Sequence, residues 1–367
     1  VCFRKGTWAG ARNADGSDCR RIGARLEPED DNVWEPKLLT NEIISFEGVN
    51  NSKGLAFVVT EASPWFERLR SEPNSLLRPY ITGDDITSSA LTRIERWALD
   101  VADRDLDVIR IAWPEAYRFL MEVGLPTRTA SALKSYKGLI DRWWQFWNHR
   151  ADLMRHLRRQ DTFVAFAKVT KYPICMPAPS NWIYTNQVLL IEESRSDLYA
   201  ICLSSFFRGW VEKFSGGKLE GRLRLSITES VSKYPLPSIE ISEEGKASAT
   251  HFHELAIKYS LNNGRGLTDV MNAVHEPANK DIIISELRNI LGTLDSQVAS
   301  AYGWKDIDVT YNFRDFSGGS VNDPWRWALS AGATEEIMQR LVSLNETRYS
   351  KFGVGARDDE GSTAETF

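Results

Sequence analysis

The residues with chemistry to offer are mostly cations. The densest group lies between Trp210 and Pro237, which reads WVEKFSGGKLEGRLRLSITESVSKYPLP. Gly216 and Gly217 form a corner where backbone can approach a partner with no side chain in the way. Lys218, Arg222 and Arg224 follow it. Lys and Arg beside such a corner suit phosphate oxygens or the edge of guanine. Tyr234-Pro235-Leu236-Pro237 then stops the stretch. An ordinary hairpin with a solvated basic edge would have the same composition.

Other groups are weaker. Trp143, Trp144, Phe146 and Trp147 could stack on bases or wedge beside a flipped nucleotide. Core packing explains them better, because large aromatics dominate cores. Arg150, Arg155 and Arg158 follow, with His149, His156 and Arg159. They suit phosphate contacts or a solvated helix face equally. His251 and His253 are two apart, which puts their imidazoles on different faces of a helix and argues against a metal pair. Glu243-Glu244-Gly245-Lys246 loosely matches a nuclease carboxylate–lysine pair but has no strand beneath it. The cysteines Cys2, Cys19, Cys175 and Cys202 are far apart, with no C-x-x-C spacing. A reducing compartment and no zinc are expected.

The basic stretch is similar to the G-R-L-x-S-R-x-R-Y-S … Y-x-x-F-P-x-P signature of one domain in bacterial restriction–modification proteins. That domain is the target-recognition domain of type IIG-like adenine-specific DNA methyltransferases and related phage-defence methylases. The pattern reads here as Gly217-Lys218-Leu219-Glu220-Gly221-Arg222-Leu223-Arg224-Leu225-Ser226, then Tyr234-Pro235-Leu236-Pro237. Further matches keep the family's order. Phe46-Glu47-Gly48 with Gly54 to Thr60 resembles the strand pair after the methylase core, and Leu77 to Ile86 resembles an RPYLNGDDL box. Leu267 to Pro277, Leu294-Asp295 and Ala301-Tyr302-Gly303-Trp304 resemble the C-terminal helical region. The resemblance spans residues 43–349.

The family's chemistry lies upstream, in a core with a Gly-rich cofactor turn and an Asn-Pro-Pro-Tyr-type motif. Neither string occurs here. The nearest, Asn322-Asp323-Pro324-Trp325 and Pro177-Ala178-Pro179-Ser180-Asn181, have the wrong order. Val1 in place of Met fits an alternative start, a trimmed chain or a split gene. The resemblance thus implies a specificity half without catalytic residues, binding no cofactor itself. Double-stranded DNA and a methyltransferase core or subunit would be its partners, the core supplying S-adenosylmethionine. Under this reading Lys168, Lys171, Lys218, Arg222 and Arg224 read base edges, with Glu220 accepting from a cytosine amine. Arg142, Arg150, Arg155 and Arg158 contact phosphates, and Arg78 and Asp84 hold the two halves together. A nuclease with unrecognised motifs and a protein-interaction module of a defence complex are the alternatives. A carbohydrate-binding module would rest on the 13 Trp alone.

The elements that must position these residues are predicted as follows. Residues 1–42 form an irregular arm. Ile43–Phe46 and Leu55–Thr60 pair around a turn at residues 50–54. Ser63 and Pro64 open a short helix. Arg78 to Ile86 is a loop and Trp97 to Val101 a strand. A helix starts at Pro114. Phe163 to Val169 and Val188–Ile191 are strands, and Asp197 to Phe207 is a helix. Residues 238–248 form a polar linker. Helices follow at Ala249–Asn262, Asp281–Trp304 and Glu335–Tyr349, marked by apolar residues at helical spacing. Residues 351–367 form a disordered tail. The fold class is α+β: a DNA target-recognition domain over 43–237 and a helical region over 249–350.

Size and charge agree with that division. The chain has 367 residues, 42% hydrophobic and 26% charged, enough for a sizeable core and two domains. No stretch approaches the roughly 20 apolar residues of a membrane span, and no signal peptide opens the chain, so a cytoplasmic protein is expected. The net charge is −5, which alone would not attract DNA. Its distribution is uneven. Residues 134–225 carry 15 Lys and Arg against 8 Asp and Glu, a net of +7, whereas residues 238–367 carry 12 against 20, a net of −8. A basic middle between acidic flanks is the form of a local nucleic-acid footprint.

Overall fold

A computed structural model of the chain describes residues 35–352, except 40–41, 51–55, 135–136, 147, 149, 158, 216–217, 220–221 and 316–323, together with short strands before them. Those strands are β1 (Arg12–Ala14) with β2 (Ser17–Cys19), and β3 (Arg21–Ile22) with β4 (Pro28–Glu29), both pairs antiparallel. The predicted irregular arm therefore contains two small strand pairs. The first flanks Asp15-Gly16, the composition of a tight hairpin turn. The tail beyond Phe352 lies outside the described residues.

The next segment supplies β5 (Ser45–Glu47), β6 (Val58–Val59), α1 (Phe66–Arg70), β7 (Leu77–Ile81), α2 (Gly83–Ser89), β8 (Trp97–Leu99), α3 (Leu106–Ala112) and α4 (Pro114–Phe119). The last runs through a π-helical turn into α5 (Leu125–Lys134). After α6 (Ala151–Leu157) come β9 (Thr162–Ala167), β10 (Val169–Thr170), β11 (Cys175–Pro179), β12 (Ile183–Tyr184), β13 (Val188–Glu192), α7 (Leu198–Leu203), α8 (Ser205–Phe214), β14 (Lys218–Leu219) and β15 (Arg222–Arg224). The chain ends in α9 (Glu243–Asn263), α10 (Leu267–His275), α11 (Ile282–Tyr302), β16 (Asn312–Asp315), β17 (Trp325–Ala328) and α12 (Ala331–Phe352).

The central sheet has the order β11-β9-β13-β5, all antiparallel. Its two middle strands are buried almost throughout, which is why their sequences read as unbroken apolar runs and not as alternation. A second sheet has the order β12-β7-β8-β6, with β12 and β7 parallel. Two expectations fail here. Residues 43–46 and 55–60 do not pair with each other; β5 joins β13 and β6 joins β8 in the other sheet. The turn between them offered only local logic, while β13 supplied a buried partner. Arg78 to Ile86 is not a loop but the end of β7 and the start of α2. Thr82 opens that helix with a capping box closed by Asp85, whose carboxylate also takes Arg96 at 2.8 Å.

The predicted helix from Asp197 to Phe207 breaks at Ser204, whose extended backbone (ψ 157°) ends α7 and caps α8. Asp295 on α11 completes the break: its carboxylate accepts from the Ser205 N–H at 2.8 Å and the Tyr311 hydroxyl at 2.8 Å. Burial raises the pKa of Asp295 despite those donors. The predicted linker is only partly one, because Ser242 caps α9 and residues 243–248 are already helical. Ile241 is buried and its N–H donates to Asp197, which Arg195 also holds.

The helical region and the sheets share one core running from Ile43 to Val342. Helix α10 meets α2 at Gly266, where a Cβ would fall 2.2 Å from the Thr87 carbonyl oxygen; only glycine permits that approach. Phe206, Tyr302 and Trp304 stack, with Tyr302 and Trp304 at 4.4 Å, and the Tyr302 hydroxyl holds the Pro235 carbonyl at 2.6 Å. The chain is an α+β protein.

Candidate nucleic-acid interface

The basic stretch begins deep in the core. Trp210 is fully buried, donates its indole N–H to the Ser230 carbonyl at 2.9 Å, and packs on Tyr234. From this anchor the chain leaves as β14 and returns as β15, and β15 pairs on its other side with β10. Side chains alternate along β15: Arg222 and Arg224 are exposed, while Leu223 and Leu225 are buried. Neither arginine makes an ion pair among the described residues. The apolar alternation thus anchors a small ribbon that offers two guanidinium groups to solvent. Lys218 begins β14, opposite Leu223. Glu220 lies outside the described residues.

Lys168 sits between β9 and β10 and binds the ribbon through its carbonyl, which accepts from the Leu225 N–H at 2.8 Å. Its ammonium reaches the carboxylate of Glu47 on β5. The other oxygen of Glu47 accepts from Arg150 at 3.3 Å. Arg150 has a positive φ of 50°, the left-handed region an arginine seldom occupies, and its amide donates to the Asn148 side chain at 3.0 Å. Gly48 explains the placement of Glu47. A Cβ there would lie 2.2 Å from the Tyr184 carbonyl oxygen, so only glycine lets the end of β5 press against β12.

These groups border a cleft of about 500 Å³ whose walls include Ser45, Glu47, Asn148, Arg150, Ser226 and Thr228. Ser226 and Thr228 lie in the turn that follows β15, so the cleft adjoins the basic ribbon. The Ser45 hydroxyl and the Nε of Arg150 are enclosed and form no hydrogen bond. A second, smaller cavity of about 270 Å³ lies by Arg78, Asp100, Arg104, Asn181 and Trp182.

The remaining expected contacts are dispersed. Lys171 is exposed and donates to Asn272 on α10 at 2.7 Å. Arg142 is exposed in a turn, also at positive φ (51°). Arg155 pairs with Asp152 at 2.5 Å on the outer face of α6. Arg158 lies outside the described residues. Arg78, in β7, donates to the carbonyls of Ser75 and Leu77 just before it, at 2.7 and 2.9 Å, and Asp84 is exposed in the first turn of α2. The tryptophan stretch packs inward. Trp144 donates to the Arg104 carbonyl at 2.9 Å, and Phe146 meets Phe57 edge-on at 5.5 Å.

Pro177–Pro179 lie in β11, paired with β9, and Ala178 is buried, so that segment presents no cofactor turn. Among the described residues no group of three or more His, Cys, Asp and Glu is set to hold a metal ion. His251 instead pairs with Glu286 at 2.7 Å, and His253 packs on Tyr199. Burial pushes the thiols of Cys175 and Cys202 well up, away from nucleophilic use. No helix among the described residues is long and apolar enough to cross a membrane.

Sequence reasoning passed over Glu47 as a site residue, because its cationic partners are 103 and 121 positions away. The only signal was the glycine that follows it. It also passed over Arg326, whose guanidinium lies 5.5 Å from the Tyr172 ring, next to Lys171.

No family model matches the sequence, and no curated protein matches it. Solved structures do match. One is described as the Type IIL restriction-modification enzyme MmeI in complex with DNA. The TM-score is 0.60 at 16% sequence identity, covering 91% of this chain and 39% of that one. The chain therefore spans well under half the length of that enzyme. What the two share at this identity is the fold.

Proposed function

We propose that this chain is the DNA sequence-recognition part of a restriction–modification or phage-defence adenine-specific DNA methyltransferase. It binds duplex DNA in the cytoplasm and presents the target adenine to an S-adenosylmethionine-dependent core located elsewhere. It carries no catalytic residue of its own. The observation that carries the reading is the pair Arg222 and Arg224, exposed on one face of β15, whose other face is buried. Strand residues advance by about 3.3 Å, so the two arginines leave the backbone on the same face roughly 6.6 Å apart. That matches two steps of a DNA strand at about 3.4 Å each. One guanidinium can then meet a guanine edge while its neighbour meets the next contact along the groove. The fold shared with a restriction–modification enzyme solved on DNA supports the reading further.

Duplex binding by the chain, titrated against salt with and without an adenine methyltransferase from a neighbouring gene, tests it. Affinity should fall steeply with salt and narrow to one sequence when the methylase is present. Absence of duplex binding under both conditions would refute the assignment.

A further inference from the structure

The cleft beside the ribbon differs chemically from a phosphate site. Of the residues that line it, the one cation, Arg150, is paired with Glu47, and Asp152 adds a second carboxylate. A phosphate entering there would meet two carboxylates. What remains is unused hydrogen-bonding capacity. A carboxylate has room for about four donors, and Glu47 accepts from two groups. Lys168 retains further ammonium hydrogens, and the side chains of Lys168 and Arg150 are both partly exposed. The cleft therefore presents an acceptor-only group flanked by donors, fixed in place by the close approach at Gly48 and by the left-handed backbone at Arg150.

We propose that Glu47 is a specificity-determining residue that accepts a hydrogen bond from the exocyclic amine of a base, cytosine N4 or adenine N6, in the major groove of bound DNA. Lys168 and Arg150 position its carboxylate and donate to the neighbouring N7, O6 or O4 acceptors. This rests on the DNA-recognition reading above. Both amines offer the same donor, next to acceptors, in the major groove. Thymine and guanine present no such amine there. A thymine or guanine in that register would leave the carboxylate facing an acceptor, and the mismatch would be penalised without any change in total charge. Glu47 thus contributes selectivity, while Arg222 and Arg224 contribute affinity as well.

The test begins with selection of the preferred duplex from a random pool by the full chain, with the methylase if required. Within that duplex, each cytosine is then replaced in turn by 2-pyrimidinone and each adenine by purine, removing one exocyclic amine at a time. Binding is measured for the wild type, Glu47→Leu and Glu47→Asp, with thermal melts to confirm folding. At one position, removing the amine should weaken wild-type binding about 5- to 150-fold and leave E47L, which has no acceptor, nearly unchanged. The analogue that shows this coupling tells cytosine from adenine. E47D, which keeps the carboxylate, should retain part of the discrimination. Selection of a sequence by the wild type with no coupling at any position overturns the role of Glu47 alone. Failure of the wild type to select any sequence overturns the recognition reading and this role together.

Discussion

Arg288 and the Arg222–Arg224 pair use one kind of side chain in opposite ways. Arg288 is buried in α11, and it makes four hydrogen bonds to backbone carbonyls. It reaches the carbonyls of Val274 at 2.9 Å, Asn279 at 2.9 Å, Ala273 at 3.1 Å and Glu276 at 2.6 Å. These are the last carbonyls of α10 and the turn after it, the negative end of a helix dipole. Phe313 covers the guanidinium at 4.9 Å. Arg222 and Arg224 have solvent on one side and no ion pair among the described residues. The lesson is that a cation's role follows from what its donors already touch. A saturated arginine holds structure together; an unsaturated one on an anchored strand is available to a partner.

Replacing Arg288 tests the first half of this contrast and should have the largest effect. Arg288→Ala leaves several enclosed carbonyls without donors, each worth on the order of 1–3 kcal/mol, so a loss of roughly 3 kcal/mol or more is expected. Arg288→Lys should recover only part, because an ammonium cannot span the fork. Urea denaturation reads both, as a lowered midpoint at constant slope. A midpoint within error of wild type for R288A would break the contrast.

Arg222→Ala and Arg224→Ala test the other half. Each should leave the urea midpoint almost unmoved, by less than about 0.5 kcal/mol. Each should weaken binding to the selected duplex by about 1–3 kcal/mol and relax the preference at one base pair. Unfolding in place of weakened binding would place these arginines with Arg288.

The smallest effect concerns an exposed cation with partners. Hydrogen bonding to Glu286, aided by Glu254, holds the His251 pKa above its ordinary 6.5. The charged form is favoured in the folded state. Its contribution is fully present below pH 6.5 and is lost as pH rises through the higher folded value. His251→Gln should therefore lower stability slightly at acidic pH and not at alkaline pH. His253, two residues on, has the reverse sign, because burial lowers its pKa. Denaturation midpoints of H251Q against wild type across this range check the sign.

Several elements were legible from the sequence. The helices α9, α11 and α12 follow the spacing of Leu255, Leu287, Leu294, Ile337 and Leu341, all buried. The unbroken apolar runs of β9 and β13 read as strands, and the structure buries both of their faces. Ser204 was harder to read, since its role as a cap depends on Asp295, 91 residues later, supplying the next acceptor. The Arg78 to Ile86 segment looked like a loop because Pro79 and the paired aspartates are turn residues. Its strand character comes from β8 and β12 on either side.

The sequence by itself determined the apolar periodicities, the basic middle of the chain and the alternation that exposes Arg222 and Arg224 around Leu223. These depend on neighbours within a few residues, and local geometry enforces them. Only the tertiary structure decided which cations are occupied. Arg288 is spent on α10, Lys168 and Arg150 share Glu47, and Lys171 turns to Asn272. Each pairing joins residues brought close only by packing, and a hydrogen bond is settled by distance in space, whatever the separation along the chain.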